Sequence, residues 1–222
     1  MGKIDDEVSI YRPIKELYKA FRILNTELFN GELTEPAILI QYQGNRSRNI
    51  YGWCTEKKIW ISQDKAIKKY EINITAEYLV RGLTEIIHTL IHEMVHLYCS
   101  ENGIQDTSRG GSYHNKKFKA YAERVGLTVE FNKSYGWSQT SLTPLRKSWI
   151  ESLDLDPEAF VLNRYSWGDE DEDEDKEQDD KPKKPKPVWC CPTCQDPKIK
   201  SKKKLNIICG DCMEKFIEIE EE

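Results

Sequence analysis

Two histidines four residues apart, His92 and His96, lie inside an apolar segment that runs from Leu79 to Leu97. On an α-helix, positions four apart differ by about 40° around the axis and by one turn along it. Both imidazoles can therefore reach one tetrahedral Zn²⁺ from the same face of a helix. The surrounding residues are mostly aliphatic, which is typical of a core helix that carries a buried polar site.

Glu93 follows the first histidine and completes the pattern H-E-x-x-H. A carboxylate at this position can hold the water at a zinc ion and take its proton, which makes the water a nucleophile near neutral pH. The pattern therefore indicates zinc-dependent peptide hydrolysis, with His92 and His96 as ligands and Glu93 as catalytic base. Two histidines that are merely satisfied within a core are the simpler alternative.

A catalytic zinc of this kind needs a third protein ligand, with the fourth position left for water. The longer metzincin pattern is excluded, because Cys99 and Asn102 occupy its glycine and histidine positions. On a helix expected over about 112–125, His114 shares a face with the apolar residues, whereas Glu123 lies about 180° away. This spacing favours His114 as the ligand and leaves Glu123 as the alternative.

His88 and Cys99 also lie on the stripe of His92 and His96, one turn before and one turn after the pair. Only the pair at 92 and 96 carries a glutamate at the right offset. We therefore expect His88 and Cys99 to pack around the site or to support its ligands.

Periodicity predicts an α+β domain. Apolar residues at helical spacing predict an amphipathic helix over 10–29, which Asn30-Gly31 would end. Alternating residues predict strands over 36–43 and 51–62, the second folded as a hairpin, and so a small antiparallel sheet.

The remainder of this domain is predicted in less detail. A polar stretch, 64–73, precedes helical sequence from Thr75 to Glu101, with a break at Gly82. In the region 127–167 the pattern predicts only a short helix near 145–153.

Four cysteines near the C-terminus form two C-x-x-C pairs separated by fourteen residues: Cys191, Cys194, Cys209 and Cys212. Paired turns of this kind wrap four thiolates around one structural zinc, and a segment of about 35 residues is too small to fold without it. Cys190 is a spare or an alternate ligand. Lysines between the pairs (198, 200, 202, 203 and 204), with Trp189 and Phe216 as stacking residues, could follow a phosphate backbone; a solvated loop is the alternative.

Charge divides the chain of 222 residues into three parts. Residues 1–167 hold 22 basic against 21 acidic side chains, 168–187 hold 5 against 10, and 188–222 hold 6 against 7. We expect a metallopeptidase domain over 1–167, a disordered acidic and then Lys/Pro-rich linker over 168–187, and a zinc ribbon over 188–222. No part is strongly basic, so net charge gives no support for nucleic-acid binding.

The cellular compartment of the protein is inferred from signals that the sequence lacks. The first residues carry no export signal, and no run of 18 apolar residues could span a membrane. Seven cysteines, an odd number with four in metal-type pairs, fit a reducing environment. We expect a cytoplasmic monomer that does not bind membranes.

These motifs together resemble the SprT-like family, which includes the Spartan proteases of DNA–protein crosslink repair. The resemblance covers roughly 10–131 and 188–217. It depends on the segment Leu90–Tyr98, on the Gly-rich approach to Tyr113-His114 with Phe118 four later, on Gly52, and on the four-cysteine ribbon. Asn115 departs from the family, many members of which have glycine after the third histidine.

The resemblance implies a minimal zincin fold, in which helices pack on a small sheet. It implies His92, His96 and His114 as ligands of a catalytic Zn²⁺, with Glu93 as base. It also implies cleavage of proteins bound or crosslinked to DNA, with single-stranded or otherwise exposed DNA as a partner and a location on the nucleoid. A zinc-binding module without protease activity, or a zinc peptidase with no role on nucleic acid, are the alternative functions.

Overall fold

Two units make up the chain, Met1–Asp171 and Glu172–Glu222. The computed structural model describes residues 9–43, 50–165, 187–195, 198–201 and 205–219. Apart from Pro187, the predicted linker lies outside the described residues, so its disorder stays a prediction.

The elements of the first unit alternate between short strands and helices. In chain order they are α1 (Tyr11–Phe29), β1 (Ala37–Gln41), β2 (Gly52–Cys54), β3 (Trp60–Ile61), β4 (Lys68–Lys69), β5 (Glu71–Thr75), a 3₁₀ helix (Ala76–Arg81), α2 (Leu83–Glu101), β6 (Thr107–Ser108), β7 (Tyr113–His114), α3 (Lys116–Arg124), β8 (Leu127–Asn132), β9 (Gly136–Leu142), α4 (Pro144–Glu151) and a 3₁₀ helix (Pro157–Phe160). This mixture of helices and small sheets confirms the predicted α+β class.

Helix α1 forms as its apolar periodicity predicts. It buries one face, including Leu17, Phe21 and Leu24, and ends where Asn30 adopts a left-handed conformation with φ 55°. Gly31 follows with φ 73°. The Asn-Gly pair supplies the positive φ angles that end a helix at little cost, so this prediction is confirmed.

The first sheet is mixed rather than antiparallel, and on this point the sequence prediction was wrong. Its order is β1-β5-β2, with β5 parallel to β1 and antiparallel to β2. The central strand β5 falls largely within the polar stretch that was given no structure. Its residues Glu71, Asn73 and Thr75 are polar yet buried, because both faces of the strand are covered. The expected hairpin over 51–62 is also absent: β2 pairs with β5, and β3 pairs with β4.

Helix α2 is the buried centre of the unit. A 3₁₀ helix ends at Gly82, whose φ of 87° separates it from α2, as the predicted break requires. The helix then packs against α1, α3, α4 and the strands β2 and β5. Among the described residues, no helix is both long and apolar enough to cross a membrane.

A second sheet, β6-β7-β9-β8, brings the later part of the unit to α2. Strands β8 and β9 form an antiparallel hairpin, and β9 runs parallel to the short strand β7, with Gly136 opposite His114. The hairpin was not predicted. The helix expected near 145–153 is present as α4, with Thr143 as its N-cap.

The second unit contains a small sheet of order β11-β10-β12. Its strands are β10 (Val188–Cys190), β11 (Ile199–Lys200) and β12 (Ile217–Ile219). Six of its described residues are buried and apolar, and four of these form one cluster: Trp189, Cys191, Cys209 and Phe216.

Candidate metal centre

Three imidazoles converge between α2 and β7. His92 and His96 project from successive turns of α2, and His114 ends β7. The Nε2 atom of His114 is 3.3 Å from Nε2 of His92 and 3.0 Å from Nε2 of His96. One nitrogen from each ring lies within 4.8 Å of the others.

This donor set fits a zinc ion. A tetrahedral Zn²⁺ about 2.0–2.1 Å from each imidazole nitrogen places those nitrogens about 3.3 Å apart. Neutral imidazoles that present three lone pairs at this separation repel one another unless a cation lies between them. His92, His96 and His114 could therefore hold Zn²⁺.

His114 reaches the site from a strand, not from the helix on which its facing was predicted. The helix begins at Lys116, and Asn115 caps it by accepting hydrogen bonds from the backbone N–H groups of Lys117 and Phe118. The Asn115 Nδ2 also donates to the carbonyl of Gln105. The residue that departs from the family pattern thus has a structural use, because it caps α3 and ties it to the loop before β6.

Phe118 forms the floor of the site. Its ring is fully buried and lies 4.6–4.7 Å, between centroids, from all three imidazoles. It is stacked on His96 with an interplanar angle of 27°. This packing limits ring rotation, so the three nitrogens keep their positions.

His92 and His96 each have a polar partner on Nδ1, the ring nitrogen that does not face the other imidazoles. Asp106 accepts from His96, with Oδ2 2.6 Å from Nδ1, and Thr140 Oγ1 lies 3.0 Å from His92 Nδ1. Burial is the largest single influence on His96 and disfavours its charged form, but the hydrogen bond to Asp106 and the negative charges of Glu93, Asp106 and Glu56 together raise the pKa of that ring. Burial, with the nearby histidines, lowers the pKa of His92.

Glu93 lies one residue from His92 and is buried against the first sheet. Its carboxylate accepts a hydrogen bond from the backbone N–H of Cys54, and burial raises its pKa to about 7. Gly52 makes room for it: a Cβ there would lie 3.3 Å from Glu93 Cγ and 2.8 Å from the carbonyl oxygen of Asn73. Strand β2 therefore positions the carboxylate in two ways. The backbone N–H of Cys54 donates a hydrogen bond to it, and Gly52 has no side chain that would collide with it.

The other candidates lie apart from the three imidazoles. Glu123 is about half exposed and pairs with Lys119, so it is not one of the converging groups. His88 contacts Thr140 and Glu85, and Cys99 is buried in the core. Neither His88 nor Cys99 belongs to a described group that could hold a metal.

A second group of possible ligands lies in the second unit. The sulfurs of Cys191, Cys194, Cys209 and Cys212 lie within 4.8 Å of one another. Cys194 Sγ is 2.7 Å from Cys212 Sγ and 3.7 Å from Cys209 Sγ. Four thiols at these distances could hold a zinc ion. Cys190 is buried on β10, outside the group, so Cys191 is the better placed of the two neighbours.

The structure changes the prediction for the loop between the cysteine pairs. Trp189 and Phe216 are buried in the core of the unit and are not available to stack on bases. Lys198 and Lys200 are described and lie at or beside β11. The lysines at 202–204 lie outside the described residues.

Two residues of the candidate site were missed from the sequence. Asp106 carried one usable signal, since it is a carboxylate in the Gly-rich loop between His96 and His114. Thr140 carried none, because it lies on a strand that the pattern did not predict.

Comparison with known proteins agrees with the sequence resemblance for the first unit. Residues 17–138, more than half of the chain, match the sequence model of the SprT-like family. Neither the curated proteins nor the solved structures gave a match. The matched segment contains the three converging histidines and Glu93, and on this match the chain belongs to the SprT-like family.

Proposed function

We propose that this protein is a zinc-dependent metalloendopeptidase whose zincin site is formed by His92, His96 and His114, with Glu93 as catalytic base. The observation that carries the proposal is the convergence of the Nε2 atoms of His92, His96 and His114, together with a buried carboxylate on the helix that holds two of these histidines. A histidine cluster that served only structure would not need that carboxylate. Membership of the SprT-like family suggests a metallopeptidase-like role and supports the same reading.

In this proposal, the geometry of the site gives each of its groups a separate role. A Zn²⁺ held by the three imidazoles would supply Lewis-acid polarisation of the scissile carbonyl and lower the pKa of water. Glu93 takes the proton of the attacking water and returns it to the leaving amine. Asp106 and Phe118 keep His96 in place through a hydrogen bond and ring stacking, so the site is organised before substrate arrives.

We further propose that the four cysteines of the second unit bind a structural zinc and form a zinc ribbon. Four thiolates fill a tetrahedral site and leave no open position for water, so this site has no catalytic role.

For the substrate, we propose proteins bound or crosslinked to DNA. The family resemblance supports this class, and Lys198 and Lys200 could contact phosphates. The partner would be single-stranded or exposed DNA, and the location would be cytoplasmic, on the nucleoid.

The catalytic proposal is tested with the Glu93→Gln variant of the full chain. We expect two zinc ions per chain in both proteins, and a loss of peptide-bond cleavage of about 10²- to 10⁴-fold in the variant, because general base catalysis contributes that much. Glu123→Gln is the matched control, since it removes an exposed carboxylate from α3, and it should cleave normally. Equal cleavage by wild type and Glu93→Gln would refute the role of Glu93.

The DNA proposal needs a separate measurement. We expect single-stranded DNA to stimulate cleavage of a DNA-bound protein, with less stimulation as salt concentration rises. A double variant with Lys198→Glu and Lys200→Glu should reduce stimulation without changing cleavage in the absence of DNA. Cleavage that is unaffected by DNA at low salt would instead favour a zinc peptidase with no role on nucleic acid.

A further inference from the structure

Thr140, on β9, lies between two histidines of α2. Its Oγ1 is 3.0 Å from His92 Nδ1 and 3.0 Å from His88 Nε2. On the other side of the His88 ring, Nδ1 lies 3.6 Å from Glu85 Oε2. These four side chains form a continuous series of polar contacts, which leads from a half-exposed carboxylate to the cluster of imidazoles.

Metal binding by His92 restricts the arrangement of protons along this series. A neutral imidazole has one N–H and one lone pair, so the lone pair needed on Nε2 requires the proton on Nδ1. His92 Nδ1 then donates to Thr140 Oγ1. The hydroxyl proton of Thr140 is free to donate to His88 Nε2, whose own N–H faces Glu85.

The reverse arrangement would disable the site. If the hydroxyl donated to His92 Nδ1, the proton of that ring would sit on Nε2, where the metal should bind. His88 therefore matters because its Nε2 lone pair draws the hydroxyl proton away from His92. Burial lowers the pKa of His88, which favours the neutral ring that can accept this bond.

We propose that Thr140 is a positioning residue of the metal site, whose hydroxyl holds His92 in its Nδ1–H tautomer while His88 orients the hydroxyl. The inference rests on the proposed function, which makes His92 a ligand. Asp106 does the equivalent work for His96 by a direct carboxylate contact. Thr140 lies beyond residues 17–138, the part of the chain that matches the family model.

Three variants of the full chain test this role. Thr140→Val keeps the shape of the side chain and removes the hydroxyl, whereas Thr140→Ser keeps the hydroxyl. Thr128→Val makes the same change on the neighbouring strand, where the hydroxyl contacts Ser141 and no histidine. Zinc affinity is measured by competition with a chelator. Cobalt substitution separates the two sites, because only the cysteine site gives thiolate-to-metal charge-transfer bands.

We expect Thr140→Val to weaken metal binding at the histidine site by about 10- to 100-fold, the usual effect of removing a partner of a ligand. Thr140→Ser and Thr128→Val should bind within about twofold of wild type, and the cobalt spectrum of the cysteine site should not change in any variant. The proposal is overturned if Thr140→Val binds as tightly as wild type, or if Thr140→Ser is as weak as Thr140→Val.

A second pair of variants covers the case in which Thr140→Val does not fold. His88→Leu removes the acceptor of the hydroxyl proton, and His88→Gln supplies another. We expect weaker metal binding for His88→Leu, by about tenfold, and near-normal binding for His88→Gln. Equal affinities for the two would contradict the orientation given to the hydroxyl. All these readouts are metal affinities, so they stand even if the protein proves not to cleave peptides.

Discussion

At the scale of single residues, the loop that carries Asp106 determines how His96 is held. The 2.6 Å contact between Asp106 Oδ2 and His96 Nδ1 fixes the proton on Nδ1 and leaves the Nε2 lone pair for a metal. We predict that Asp106→Asn weakens zinc binding at the histidine site by about 10- to 100-fold, because a neutral amide is a poorer acceptor than a carboxylate. Chelator competition measures this change.

The control for this prediction is Asp154→Asn. Asp154 is fully exposed, and its ion pair is with Lys19 and not with an imidazole. Its substitution should leave zinc affinity unchanged, and equal losses in the two variants would show that the effect of Asp106 is not local.

A second prediction at the scale of single residues concerns Gly52. A methyl group there would meet the carbonyl oxygen of Asn73 at 2.8 Å and the Cγ2 atom of Thr89 at 2.9 Å, so the strand or the helix must shift. We predict that Gly52→Ala destabilises the first unit by about 1–3 kcal/mol, the usual range for overpacking, and slows cleavage by displacing Glu93. Thermal unfolding and cleavage rate measure the two effects.

Gly210 is the matched control, because a Cβ there would have no atom within 4 Å. Gly210→Ala should change neither measurement. If Gly52→Ala behaved in the same way, β2 would be farther from Glu93 than the structure places it.

At the scale of elements, α2 joins the hydrophobic core to the site. Leu90 lies two residues before His92 on this helix and is fully buried. We predict that Leu90→Ala costs about 2–5 kcal/mol in the free energy of unfolding, as truncations that leave a core cavity do. Urea unfolding followed by circular dichroism of the helices measures it. Leu145→Ala, on the exposed side of α4, should cost no more than about 0.5 kcal/mol.

The helices could be predicted from the sequence and most of the strands could not, for a physical reason. Helices α1 and α2 are long enough for their apolar residues to repeat several times, and an Asn-Gly pair follows each. Strand β5 has five residues, three of them polar, and both of its faces are buried by other elements. Its place at the centre of the sheet depends on partners distant in sequence, which no local pattern reports.

The residues of the candidate site also fall into those that the sequence predicts to lie together and those that it does not. His92, Glu93 and His96 are neighbours on one helix, so their spacing alone predicts that they lie together. His114 was named from a predicted helix face, yet it reaches the cluster from β7, beside the unpredicted strand β9. Thr140 comes from that strand too, and so its contact with His92 required the structure.

At the scale of the whole molecule, the two units depend on different forces. The first unit has an extensive apolar core in which α1, α2 and the first sheet share fully buried side chains. The buried cluster described in the second unit has four residues, and two of them, Cys191 and Cys209, are candidate zinc ligands. A core this small cannot offset the conformational entropy of folding, so we expect the zinc proposed for the four cysteines to supply much of the stability of the second unit.

This difference predicts how the molecule responds to removal of metal. A strong chelator should abolish amide hydrogen-exchange protection in the described part of the second unit while α2 stays protected, because the helix is held by apolar packing. Cys209→Ser should reproduce the loss in the second unit without chelator, since a serine hydroxyl is a poor zinc ligand. Cys190→Ser changes a buried cysteine outside the sulfur cluster and should keep its zinc. Protection that survived both chelation and Cys209→Ser would mean that the second unit folds without metal, and the four sulfurs would need another explanation.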